Sequence, residues 1–66
     1  MRAKVNGEDW DLPDNTTVAD VLHRLRAPDS GIAVARRGEL VPRAAWAATP
    51  VEDGDDIEVL TAVQGG

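Results

Sequence analysis

Only one segment of this chain has the periodicity of a helix. Val18, Val21, Leu22 and Leu25 fall at i, i+3, i+4 and i+7, the spacing that lines one helical face with apolar side chains. Asp20, His23, Arg24 and Arg26 lie off that stripe. Thr17-Val18-Ala19-Asp20 reads as a capping box, with Asp where Glu or Gln is usual. In such a box the Thr17 hydroxyl accepts from the Asp20 amide, and the Asp20 carboxylate accepts from the Thr17 amide. Pro28 and Gly31 close the segment. The spacing predicts one amphipathic helix over residues 17–26.

The other regular segments read as short strands. Asn6-Gly7 favours positive φ at both central positions of a turn, so residues 2–12 are expected to form a β-hairpin, broken by Pro13-Asp14-Asn15. Gly31-Ile32-Ala33-Val34-Ala35 is a small apolar strand and Arg37-Gly38-Glu39 a solvated turn. Leu40-Val41 forms a short edge strand stopped by Pro42. Arg43 to Thr49 should make an irregular helical turn around Trp46. After the Asp53-Gly54-Asp55 turn, residues 56–63 read as the last strand. It carries Ile57, Val59, Thr61 and Val63 on one face, and Glu58, Leu60, Ala62 and Gln64 on the other.

Strands with a single helix between the second and third imply an α+β fold with that helix packed on one face of the sheet. A right-handed crossover then places the last strand centrally, parallel to the first. The expectation is a β-grasp (ubiquitin-like) mixed sheet over residues 1–64, followed by a flexible di-glycine tail at 65–66. A chain of 66 residues has room for one domain, which buries only about 60% of its unfolded surface. A deep catalytic cleft does not fit beside such a core, so the chain is not expected to be an enzyme.

Cysteine is absent, which argues against a secreted disulfide scaffold and removes thiolate nucleophiles and the usual zinc clusters. His23 is the only histidine and reads as a solvated surface residue. Glu52, Asp53, Asp55 and Asp56 lack the ligand spacing of a calcium loop and read as a hydrated turn. No metal site is expected. No apolar run approaches the roughly 20 residues that span a bilayer. Met1 to Gly7 leave no room for a signal-peptide core, so a soluble, cytoplasmic protein is expected. With 12 acidic against 7 basic side chains the formal charge is −5, the wrong sign for nucleic-acid binding but suited to a basic protein surface.

Gly65-Gly66 is a poor ending for a fold, because glycine loses the most entropy on ordering. Two residues without Cβ can instead thread a narrow tunnel and bring a terminal carboxylate close to a nucleotide. Ionised at neutral pH, that carboxylate can attack the α-phosphorus of ATP and expel pyrophosphate. The acyl adenylate is open to a sulfide or persulfide, which displaces AMP and leaves a thiocarboxylate. No cysteine is required.

Leu40-Val41-Pro42-Arg43-Ala44-Ala45-Trp46 resembles the "(I/V)VPRxxW" stretch of the ThiS family, the sulfur carriers of thiamine biosynthesis. Asp53-Gly54-Asp55-Asp56-Ile57 resembles that family's "DGDxI" turn, Thr17 to Leu25 its "TVxxLLxxL" helix, and Gly65-Gly66 its terminus. The resemblance implies that the Gly66 carboxylate is the reactive group, adenylated and then thiocarboxylated. It also implies that Leu60, Ala62 and Gln64 beside the tail meet the activating enzyme. Gln64 departs from the family, which often has Ala before the di-glycine. The implied partners are a ThiF-like adenylating enzyme that uses ATP, a sulfur donor such as a cysteine desulfurase, and a thiazole synthase (ThiG-like). No cofactor would be bound by the carrier itself. The alternatives are a sulfur carrier for molybdopterin or cysteine synthesis, or a β-grasp interaction module or protein modifier.

Overall fold

The computed structural model describes residues 1–61. The hairpin forms as its turn residues require. β1 (Arg2–Val5) and β2 (Glu8–Asp11) pair antiparallel across Asn6 at φ 51 and Gly7 at φ 85, the paired positive angles of a type I′ turn. Helix α1 (Val18–Leu25) begins at Thr17, whose hydroxyl accepts from the Asp20 N–H at 3.2 Å while the Asp20 carboxylate accepts from the Thr17 N–H at 3.0 Å. The capping box is therefore complete with Asp in the third position.

The helix ends differently from the sequence expectation. Arg26 itself adopts the left-handed conformation, φ 59 and ψ 40, and its N–H returns to the Leu22 and His23 carbonyls. The chain has turned before Pro28 is reached.

β3 (Ile32–Arg36) and β4 (Glu39–Leu40) each sit one residue from the expected bounds. The two-residue turn between them is Arg37 at φ 54 and Gly38 at φ 85, which leaves Arg36 and Glu39 as a cross-strand pair. A 3₁₀ helix over Arg43–Ala48 follows, with the half-buried Trp46 donating its Nε1–H to the Val41 carbonyl at 2.9 Å. β5 (Asp56–Thr61) completes a five-stranded sheet in the order β2-β1-β5-β3-β4. It is parallel to β1 and antiparallel to β3, as expected of a β-grasp sheet. The expected strand residues 62 and 63, and the domain boundary at 64, lie outside the described residues.

Alternation along β5 builds the core. Ile57 is fully buried and Val59 half-buried on the face covered by α1, where they meet Val5, Val18, Val21 and Val34. Each such side chain removed from water contributes about 1.5–3 kcal/mol. Trp10 and Trp46 pack at the rim of this aliphatic core. Among the described residues no helix is long and apolar enough to cross a membrane.

The acidic turn before β5 is not simply hydrated. Asp55 is 1% exposed, and its carboxylate accepts from Arg36 Nε at 2.7 Å and from the Glu52 N–H at 2.7 Å. Arg37 Nε lies 3.6 Å away, and Arg36 also pairs with Glu52 at 3.2 Å. The guanidinium of Arg36 is held above its ordinary pKa, chiefly by the hydrogen bond to Asp55 and against the effect of burial. It stays charged at every pH near neutrality, and its contribution is lost only as pH rises past arginine's usual range. Arg36 and Arg37 therefore anchor the loop rather than decorate a solvated turn. A buried carboxylate needs such partners, because an unpaired one would carry a large desolvation cost.

Asp55→Ala strands the Glu52 N–H and frees Arg36, whose side chain is 24% exposed and can turn partly to solvent. It should destabilise the domain by about 2–3 kcal/mol, read as a lower urea midpoint with unchanged slope. Arg26→Gly relieves the left-handed strain at the helix end and should raise stability by about 0.5–1 kcal/mol in the same titration.

Candidate functional site

The face of the sheet away from α1 is divided in two. On one half, the register sets Ala33 opposite Leu60, and Ala35 opposite both Glu58 and Leu40. Directly opposed residues share a face. Leu40 and Leu60 therefore stand on one surface with the two alanines between them on β3. They are also the large apolar side chains most exposed to solvent among the described residues, at 74% and 61%. On the other half, Lys4 pairs with Asp9 at 3.4 Å and Arg2 with Asp11 at 3.2 Å, all largely exposed. Asp56, opposite Lys4 on β5, adds to this charged half, and Glu58 stands at the boundary.

Single exposed leucines are ordinary features of protein surfaces. Two brought together on a small sheet form a ledge, a more specific sign of a contact surface. The position of Leu60 agrees with its sequence assignment to the outer face of the last strand. Ala62, Gln64, Gly65 and Gly66, named with it as site residues, lie outside the described residues.

Leu40 was not singled out from the sequence. Its exposure depends on hairpin register, since Leu40 in the sequence is flanked by Val41 and reads equally well as a core residue. The hint lay in the Arg37-Gly38 pair. Centring a two-residue turn there puts Leu40 opposite Ala35, on the same face as Leu60.

A groove of about 310 Å³ opens between α1 and the 3₁₀ helix, lined in part by His23, Asp29, Arg43 and Trp46. His23 is exposed there, in agreement with a solvated reading. Among the described residues no three His, Cys, Asp or Glu side chains gather as metal ligands do.

Sheet order and the single helix define a β-grasp domain, with an exposed apolar ledge that includes Leu60 of its last strand. Comparison with known proteins gives the family. The profile of the ThiS family matches residues 2–66. The sulfur carrier protein ThiS of Escherichia coli is 32% identical over 66 residues, covering 100% of both chains. A thiazole synthase of Paramagnetospirillum magneticum is 33% identical over 66 residues, but this chain spans only 20% of that protein's length. The crystal structure of the thiamine biosynthesis protein (ThiS) of Geobacter metallireducens superposes with a TM-score of 0.82 at 32% identity, covering 100% of each chain. A solution structure of a thiamine biosynthesis protein from the same organism gives 0.81 at 35% identity, with 100% of this chain and 88% of that one covered. This chain belongs to the ThiS family.

Leu40→Ser with Leu60→Ser removes the ledge without opening the core. The double variant should unfold within about 0.5 kcal/mol of the parent in urea, because both side chains are already largely in solvent.

Proposed function

We propose that this ThiS-family chain is a sulfur carrier in thiamine biosynthesis and that its reactive group is the carboxylate of Gly66. The observation that carries the reading is the end-to-end likeness to a sulfur carrier protein, extending through residue 66. The carrier would be a co-substrate with no catalytic centre of its own, working in the cytoplasm. A ThiF-like adenylating enzyme would supply ATP and the nucleotide pocket.

The chemistry balances in two displacements. A Gly66 carboxylate oxygen attacks the α-phosphorus of ATP and pyrophosphate leaves. Hydrosulfide then adds to the acyl carbon, and the bond to AMP breaks. The terminal sulfur of a persulfide can likewise displace AMP, giving an acyl disulfide; a second thiol then attacks the donor sulfur, forming a disulfide with it and releasing the thiocarboxylate. The product is a Gly66 thiocarboxylate, whose sulfur is a nucleophile toward an electrophilic carbon of the thiazole precursor. A cysteine desulfurase fits the role of persulfide source.

The thiazole synthase partner is supported by the larger synthase that contains a segment similar to this whole chain. Joining a carrier segment to the enzyme that consumes its sulfur raises their effective concentration. The ledge of Leu40 and Leu60, together with Ala62 and Gln64 as the sequence assigns them, would dock the adenylating enzyme and let Gly66 enter its pocket.

Incubation with ATP, the cognate adenylating enzyme and a sulfur donor should add to the intact mass the difference between one sulfur and one oxygen, located at Gly66 by fragmentation. Deleting Gly66 should abolish the gain. A chain that stays unchanged beside a competent enzyme, or forms isopeptide conjugates instead, would favour an interaction module or a protein modifier. The Leu40→Ser, Leu60→Ser variant should raise KM for the adenylating enzyme roughly tenfold or more with kcat nearly preserved, as expected when binding common to ground and transition states is lost.

A further inference from the structure

β1 and β5 run side by side only to Val5 and Ile57, after which β1 turns away into its hairpin. The Asn6 N–H still reaches the Ile57 carbonyl at 2.8 Å. A continued parallel strand would next offer a main-chain carbonyl to the Val59 N–H. The chain is already in the left-handed turn there, and the acceptor is the side chain of Asn6, its Oδ1 lying 2.8 Å from the Val59 nitrogen. One side chain thus extends the ladder by a step that the backbone cannot make.

The consequence falls on the exit half of β5. On its other edge β3 pairs with it out to Ile32 and Thr61. Among the described residues, the Asn6 bond is the hydrogen bond that reaches β5 beyond Ile57 from the β1 side. It acts at Val59, next to the ledge residue Leu60 and two positions before the strand's last described residue.

We propose that Asn6 is a positioning residue for the tail chemistry, its side-chain oxygen holding the exit half of β5 so that Gly66 is presented reproducibly to a partner's nucleotide. The proposal rests on the carrier reading above. Reacting atoms must come within about 3–3.5 Å, and a misplacement of about 1 Å can cost on the order of 100-fold in rate. Slack at the base of a glycine tail widens the range of positions its end can sample. Asparagine suits the place because it tolerates positive φ and also carries an acceptor.

Two substitutions separate the turn from the anchor. Asn6→Gly keeps the backbone conformation and removes the acceptor, whereas Asn6→Asp keeps both. The expectation for Asn6→Gly is amide exchange at Val59 roughly tenfold faster or more, with core amides such as Ile57 still protected. With the cognate adenylating enzyme its kcat for acyl-adenylate formation should fall roughly three- to tenfold, and KM should stay within about twofold, because the Leu40–Leu60 ledge is intact. Asn6→Asp should restore both readouts. Unchanged exchange at Val59 in Asn6→Gly would overturn the anchor. Faster exchange with unchanged kcat would reduce Asn6 to a turn residue. A parent chain that accepts no AMP would instead overturn the carrier reading, while the exchange comparison still reports on the anchor.

Discussion

β5 runs through the middle of the sheet, parallel to β1 on one side and antiparallel to β3 on the other, and the remaining elements are fitted around it. Its parallel pairing joins residues 4 and 5 to residues 56 and 57 and so closes nearly the whole chain into one loop. Closing a loop of that length costs entropy before any contact repays it. Repayment comes from both sides of the strand's start. Asp55 is tied to Arg36 on β3 by its side chain, and its carbonyl accepts the Lys4 N–H of β1 at 2.8 Å. The loop before β5 is also bound to the start of the helix, where Val18 donates to Thr49 at 2.9 Å and Val51 to Thr16 at 2.8 Å. Three separate parts of the chain therefore agree on where the last strand begins.

The same strand serves two purposes through its period of two. Ile57 and Val59 face α1 and hold the domain together, while Glu58 and Leu60 face solvent. A carrier of this kind has no need of a cleft. On the proposed mechanism it needs a firm body, a recognisable surface close to the point of departure of its reactive end, and a tail slender enough for another protein's pocket. In a small domain, placing the surface and the departure point on one strand satisfies the first two needs with few residues.

Much of this body was legible from local chemistry. Asn6-Gly7 turned as its two residues demand, Thr17 and Asp20 capped the helix reciprocally, and the stripe of Val18, Val21 and Leu22 went to the core. The crossover rule then placed the last strand centrally and parallel to the first, as found. What escaped was set by partners distant in sequence or by residues acting against their averages. Arg26 and Arg37 hold positive φ, although arginine carries no such preference, so the helix end and the bounds of β3 and β4 shifted. The burial of Asp55 depends on Arg36, 19 positions away, and nothing in the run of acidic residues distinguishes it from its hydrated neighbours. The ledge was half visible. Leu60 followed from alternation in a long strand, but Leu40 required the register of a strand two residues long. The reactive end was read from Gly65-Gly66 and the family resemblance, and it lies beyond the described residues.

The two rims of the sheet differ from its middle. β4 is two residues long, and β2 carries Glu8, Asp9 and Asp11, all exposed, along the opposite rim. An uncovered strand invites another copy to add itself, and short or charged rims discourage this. Two molecules meeting β2 to β2 would set acid against acid, and at the other rim there is too little ladder to extend. The fold thus discourages edge-to-edge pairing between copies while leaving an oily surface in view.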